Sequence, residues 1–384
     1  MTGVGRTAGR VDALVTDAQS RAAVAGVRAL GQAGLRPLVV GSWRGAPALW
    51  SRHTAERALC PGSDEPGFIE RIAELAVQYG PFVVHPAQED ALDPIIRAGH
   101  ELPTEAIVPY GGAEALRKLR DKAALASLAE RVGLTAPRTL AEGTAAALLE
   151  APPPAPCAVK ATGRSHALIT TRLVDTDADL RSLLASLPPE LRLVVQERAV
   201  GPLVGLALVL DREGRVVARF QQVALRLWPI AAGGSTIAMS VAPDPDLVEK
   251  SAAFLRLAGH WGLAHLQFLT TARGPAVIDV NARYFGSLPL ATASGVNLPA
   301  AWQAVALGET LPDPPPYELG VTYRWLEGDL KGVLKGRSRA HLRPPPVRPR
   351  TGAMWASDDP LPGALLTLQS AWLPFGARLS ARRA

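Results

Sequence analysis

The sequence predicts an α/β chain that becomes α+β in its central part: an N-terminal doubly wound parallel sheet, followed by two lobes built on antiparallel sheets. Two observations carry this. Over the first hundred residues, apolar runs of strand length alternate with helical stretches: VDALVTDA, a helical pattern over residues 20–33, RPLVVGS at 36–42, the helical EPGFIERIAELAVQYG, then PFVVHP. Such alternation marks parallel βα units. Further on, LRLVVQERAVG and LVGLALVLDREGRVVARFQQV supply three strands, with DREG at 211–214 as a turn between the last two, so neighbouring strands there run antiparallel.

The remaining elements follow in order. The early glycines of GVGRTAG precede the first strand, whereas a dinucleotide loop follows it, and they read as a flexible terminus. From Gly112, EALRKLRDKAALASLAERVG places Leu116, Leu119, Leu125, Leu128 and Val132 at helical spacing, with Gly133 as a stop. APPPAP at 151–156 is a rigid connector, and PCAVKATGRSHALITTRLV reads as strand, glycine loop, strand, either a plain hairpin or a phosphate cover. After Gly233 and Gly234, a helix over 245–261 leads to LAHLQFLTT and AVIDVNARY, two strands joined by ARGP. The expected organisation is 1–110 Rossmann-like, 111–190 a small lobe, 191–310 a large lobe, and 311–384 a Pro- and Arg-rich segment.

Bulk properties exclude several classes. A chain of 384 residues holds two or three units, and 48% hydrophobic content is that of a globular protein. With 41 basic and 35 acidic residues the net charge is +6, which suits a small anionic substrate, but no concentrated patch calls for nucleic acid. Cys60 and Cys157 alone make neither a disulfide framework nor a zinc site, so a reducing, cytoplasmic setting is expected. No signal-peptide core precedes Asp12, and the longest apolar run, GPLVGLALVL, is half a membrane span. GRSRAHLRPPPVRPR at 336–350 reads as an irregular surface segment or a polyanion-binding arm.

The chemistry concentrates in VIDVNARYFGS at 277–287. In a strand, Asp279, Asn281 and Arg283 share one face and Ile278 and Val280 the other. A solvated edge strand also alternates, yet here two oxygen donors suited to a hard cation precede a fixed cation suited to phosphate or carboxylate. The partner arm adds Gln267. Upstream, Lys160 ends an apolar strand, where an unpaired ammonium is costly and a bound anion is a natural partner.

The order Lys122, Lys160 with its glycine loop, QERA, then Gln267 with Asp279, Asn281 and Arg283 resembles the ATP-grasp superfamily over residues 12–310, most specifically in AVIDVNARYFGSLPLATASGVNLP. The resemblance implies a carboxylate-amine ligase with Mg-ATP between two lobes. It implies that Lys122, Lys160, Gly163 and Ser165 hold the phosphates, and that Gln196, Glu197, Arg198 and Ala199 meet the adenine. Gln267, Asp279 and Asn281 would bind Mg2+ or Mn2+, Arg283 the transferred phosphoryl group, and Arg226 the substrate. The family's metal carboxylates are usually Glu where this chain has Gln267 and Asp279, and no ribose-binding acid stands at Val204 or Gly205. Expected partners are small-molecule carboxylates and amines, with no nucleic acid or membrane and with a homodimer left open. A bicarbonate-using ligase and a silent ATP sensor of the same fold are the rivals. HPAQEDALD at 85–93 follows a parallel strand, where such sheets place ligands, but its acids read as helix caps.

Overall fold

In the computed structural model, which describes residues 9–161, 171–230, 232–334, 336, 339–345 and 347–369, strands β1 (Ala13–Val15), β2 (Pro37–Gly41), β3 (Glu56–Leu59), β4 (Phe82–His85) and β5 (Ala106–Ile107) form a parallel sheet ordered β3-β2-β1-β4-β5. Every residue of β1, β2 and β4 is buried, as continuous apolar strands covered on both faces must be. The order reverses between β1 and β4, the position where a doubly wound sheet opens a crevice at its strand ends. The loops leaving these two strands are tied together there: Asp17 Oδ2 accepts from Gln88 N at 3.0 Å, and Thr16 Oγ1 from Ala87 N at 3.2 Å.

Helix α1 (Arg21–Gln32) follows β1, its N-terminus capped by Ser20 Oγ accepting from Ala23 N at 3.0 Å. Residues 22–30 are all buried, because α1 packs on the sheet with one side and on the distal part of the chain with the other. Gly26 makes the second contact: a Cβ there would stand 2.2 Å from the Tyr284 ring. His85, at the end of β4, completes the junction. It stacks on Tyr284 with ring centroids 5.5 Å apart, meets Trp302 edge-on, and bonds Gln303 at 2.7 Å; burial lowers its pKa to about 4. The other helices of this part are α2 (Phe68–Tyr79) and α3 (Glu89–Arg97).

The helical stretch expected as one unit from Gly112 is two helices, α4 (Ala113–Arg120) and α5 (Lys122–Arg131). Asp121 breaks them with an extended backbone (φ −71°, ψ 119°), and its Oδ1 accepts from Ala124 N at 2.9 Å. Periodicity does not register the break, since apolar spacing continues through it; an acid that can cap is the only local sign.

A four-stranded antiparallel sheet follows, of β6 (Thr139–Thr144), β7 (Cys157–Ala161), β8 (Arg172–Val174) and β9 (Arg192–Glu197) in the order β6-β9-β7-β8, with α6 (Ala145–Glu150) and α7 (Asp177–Ala185) against it. The third sheet contains β10 (Leu203–Leu210), β11 (Val216–Trp228), β12 (Gly234–Val241), β13 (Gly262–Thr271), β14 (Gly274–Asn281), β15 (Thr322–Arg324) and β16 (Thr351–Gly352), ordered β14-β13-β10-β11-β12-β15-β16. All its neighbours are antiparallel except β15 and β16. Helices α8 (Pro245–Ala258), α9 (Leu288–Ala293), α10 (Leu298–Ala306) and α11 (Leu326–Leu334) complete it.

The region after residue 311, read from sequence without regular elements, thus extends a sheet. It also returns to the N-terminal unit: Arg28 Nε bonds Asp359 Oδ2 at 2.8 Å, and the same carboxylate accepts from Ser51 Oγ at 2.7 Å and Arg52 N at 2.9 Å. No described helix is long and apolar enough to cross a membrane.

The α1 contact yields a stability test. Gly26→Val would gain some helix propensity, under about 1 kcal/mol, but forces side-chain atoms into Tyr284 at a cost of about 1–3 kcal/mol or more. Thermal unfolding should show Tm lowered by at least about 2 °C; an unchanged or raised Tm would mean that α1 is not seated on Tyr284.

Candidate functional site

The hairpin of β13 and β14 sets the register of the site. Gln267 stands opposite Asp279, and His265 opposite Asn281, so the four share one face of two neighbouring strands. Lys122 opens α5 directly after the Asp121 break, and its Nζ lies 3.2 Å from Asp279 Oδ1 and 3.3 Å from Ile278 O. Lys160, on β7 of the other lobe, faces the same carboxylate. Burial and the neighbouring Lys122 charge push the Lys160 pKa down to about 8, against the pull of Asp279. For Asp279, burial opposes ionisation, but Lys122, Lys160 and Arg283 together outweigh it and hold the carboxyl at about 2. Its side chain remains 43% exposed, opening into the cleft.

From Asp279 a polar chain runs to the N-terminal unit. Asn281 Nδ2 donates to Asp279 Oδ2 at 2.9 Å, Arg283 Nη2 to Asn281 Oδ1 at 2.8 Å, and Arg283 Nε to Glu89 Oε2 at 2.8 Å. Glu89 also pairs with Arg120 at 2.6 Å, and Arg120 with Asp93. The acids of HPAQEDALD are therefore more than helix caps. Glu89 orients the arginine of the candidate site, a role that a contact spanning 194 residues leaves invisible to sequence pattern.

Two cavities meet on this face. One, of about 410 Å3, is bounded by Lys122, Lys160, Gln196, Glu197 and Ala199, with apolar walls from Leu173, Leu269 and Ile278. The other, of about 400 Å3, is bounded by Arg21, Gln88, Gln222, His265, Asn281, Arg283 and Trp325. Leu203, Gln267 and Asp279 line both. In the first cavity Gln196 is buried and donates to Pro137 O at 3.4 Å, while Glu197 is paired with Arg273.

Arg198 lies elsewhere: it pairs with Asp175 and borders a smaller recess. Gly163 and Ser165 fall outside the described residues. Leu203 and Gly205 share the face of Leu269 and Gln267, so this strand presents no acid on that face. Arg226 reaches neither cavity. Its guanidinium, expected from sequence to meet substrate, is 3.2 Å from the Asp329 carboxylate, 103 positions on, and donates to Arg343 O at 2.8 Å.

Sequence reasoning missed Arg21, Glu89, Gln222 and His265. Two of these left a signal: Glu89 lies in HPAQEDALD after a parallel strand, read from sequence as a helix cap, and His265 alternates with Gln267 in LAHLQFL, continuing the face of the opposite arm.

Among the described residues no three His, Cys, Asp or Glu side chains come together as a metal cluster. The set that faces the junction is one carboxylate, Asp279, with the amides of Gln267 and Asn281. Those hard oxygen donors fit Mg2+ where phosphates complete its shell.

This architecture, antiparallel sheets around a cleft behind a doubly wound unit, is similar in fold to that of ATP-grasp enzymes. Residues 211–329 match the family described as "ATP-grasp in the biosynthetic pathway with Ter operon". Among solved structures, N5-carboxyaminoimidazole synthetase from Staphylococcus aureus aligns with TM-score 0.61 at 11% identity over 88% of each chain. The biotin carboxylase domain dimer of Hydrogenobacter thermophilus 2-oxoglutarate carboxylase, bound to MgADP and bicarbonate, gives 0.60 at 15% identity, covering 82% of this chain and 73% of its own. The L-amino acid ligase of Bacillus licheniformis gives 0.56 at 17%, covering 77% and 74%. No protein of curated function matches the sequence.

The Lys160 environment predicts a pH dependence. Its ammonium is present below about pH 8 and lost above it, so Mg-nucleotide affinity should be flat near pH 7 and fall as pH rises through 8 toward 9. Lys160→Met should weaken binding at pH 7 by roughly 10-fold or more, the worth of a charge-assisted contact, and flatten that slope. Calorimetric titration at several pH values reads both effects; an unaltered slope in the variant would assign the titration to another group.

Proposed function

We propose that this protein is an ATP-dependent carboxylate-amine ligase, with 1–110 as its N-terminal unit and 111–190 and 191–310 as the two lobes that hold Mg-ATP. The observation that carries the reading is the pair of cavities sharing Gln267 and Asp279, one apolar-walled with two lysines and one polar with Arg283. Nucleotide in the first places its terminal phosphate at the shared wall, and a carboxylate in the second approaches the same point.

Lys122 and Lys160 hold the phosphates as point charges from separate elements. Mg2+, held by Asp279 with Gln267 and Asn281, would neutralise phosphate charge. Arg283, its guanidinium fixed by Glu89 and by donation to Tyr284 O at 2.8 Å, stabilises charge on the phosphoryl group as it passes to the carboxylate oxygen. In that transfer the bond between the γ-phosphorus and the bridging oxygen breaks and ADP leaves. The amine nitrogen then attacks the acyl carbon, loses a proton, and expels inorganic phosphate. Position and charge do this work, with no covalent nucleophile on the protein.

The bicarbonate alternative draws support only from likeness to the carboxylase domain, and a cavity of about 400 Å3 is far larger than that anion needs. The silent-sensor alternative draws on the lack of an acid at Val204 or Gly205, where the resemblance implies one that meets ribose.

Phosphate release from ATP should require Mg2+ and an added carboxylate. Asp279→Ala should reduce it at least ~100-fold, whereas Asp279→Glu, which keeps the charge and adds one methylene, should stay within roughly tenfold of the parent. Tight ATP binding with no turnover across a broad panel of carboxylates and amines would favour the sensor.

A further inference from the structure

Arg21 lines the second cavity together with Gln222, His265, Arg283 and Trp325. Its guanidinium stacks on Trp325, Cζ 3.7 Å from the ring centroid, which occupies one face and leaves the N–H edges to find acceptors. The approach depends on Gly286, where a Cβ would stand 2.3 Å from Arg21 Nε. Nη1 is buried with no acceptor, and among the described residues Arg21 has neither hydrogen bond nor ion pair. Glu327, whose charge acts on the Tyr323 hydroxyl in the opposite sense to that of Arg21, lines a neighbouring cavity and forms no ion pair with Arg21 among the described residues. A buried cationic N–H without an acceptor costs free energy that a bound anion would recover.

A second orphan faces the same space. Gln222 Nε2 donates to Ser287 Oγ at 2.6 Å, leaving Gln222 Oε1 buried with no donor. His265, stacked on Phe285 at 4.0 Å, has no partner at either ring nitrogen, and Gly205 leaves room for it, since a Cβ would lie 2.6 Å from Nε2. The cavity therefore offers a cation lacking an anion and an acceptor lacking a donor. It also offers Arg283 and Asn281.

We propose that this cavity takes a dicarboxylate carrying an amino or hydroxyl group, of the acidic amino acid type: one carboxylate at Arg283 for activation, the other gripped by Arg21, and the N–H or O–H given to Gln222 Oε1. The proposal rests on the ligase reading for which carboxylate reacts, while Arg21 recognition can be measured without turnover.

The test compares aspartate and glutamate with asparagine and glutamine as probes, by calorimetry and thermal shift on the full chain, with and without a non-hydrolysable ATP analogue and Mg2+. The parent protein should bind a dicarboxylate at least ~10-fold more tightly than its monoamide, the worth of a bidentate charge-assisted contact. Arg21→Gln should erase that preference while nucleotide affinity stays unchanged, because Arg21 does not border the nucleotide cavity. Arg21→Lys keeps the charge without the fork and should retain part of the preference, and it serves if the glutamine variant does not fold. A preference that survives in both variants, or a parent protein that binds no dicarboxylate better than its monoamide, overturns the proposal. Failure to bind the nucleotide analogue counts against the ligase reading alone.

Discussion

One carboxylate held between two ammonium groups is the constraint around which the lobes are arranged. Lys122 and Lys160 come from different elements, a helix start and a strand of the four-stranded sheet, and burial together with the Lys122 charge lowers the Lys160 pKa. Asp279, projecting from the opposing seven-stranded sheet, offsets part of that repulsion and is itself kept ionised by it. Two lysines and one acid leave a net positive cleft at the junction of two cavities, the electrostatic condition for gathering a polyphosphate. The break at Asp121 is what makes this geometry available. A continuous helix would carry Lys122 past on the cylinder of α4, whereas the extended residue restarts the chain with Lys122 at the head of α5.

The N-terminal unit contributes to the site as well as supporting it. Its sheet reverses strand order between β1 and β4, and the two loops leaving those strands deliver Arg21 and Glu89 to one crevice. Glu89 accepts from Arg283 Nε while Asn281 accepts from Nη2, so the arginine is oriented before any ligand arrives, and preorganised charge is the kind that lowers a barrier without reorganisation cost. Packing enforces the alignment: Gly26 and Gly286 let α1 and Arg21 lie against the very segment, Tyr284 to Gly286, that follows the site strand.

Much of this was legible in the sequence, and what was not has a common cause. Alternation along VIDVNAR and the lysine at the end of an apolar strand are local patterns, and the structure sets Asp279, Asn281, Gln267, Lys122 and Lys160 around one junction. Arg226 seemed equally free in its strand; its partner Asp329 and its carbonyl acceptors lie beyond residue 328, where no periodicity announced structure. Glu89 and Arg21 act through contacts with Arg283 and Trp325 that span most of the chain, and single-sequence reasoning sees spacing, not such closures. Residue identity alone also marked positions that border the cavities: Asp279 lines both, and Gly205 lines the second.

The central claim is that the two cavities are a nucleotide site and a substrate site divided by Gln267 and Asp279. A crystal structure with Mg2+ and a non-hydrolysable ATP analogue tests it most directly. The account predicts adenine between Leu173, Leu269 and Ala199, the terminal phosphate within reach of Lys122, Lys160 and Arg283, and the Lys122 to Asp279 contact opened as Asp279 turns to the metal. Nucleotide bound elsewhere, or bound in this cavity with Asp279 still paired to Lys122 and no metal beside it, would contradict the account.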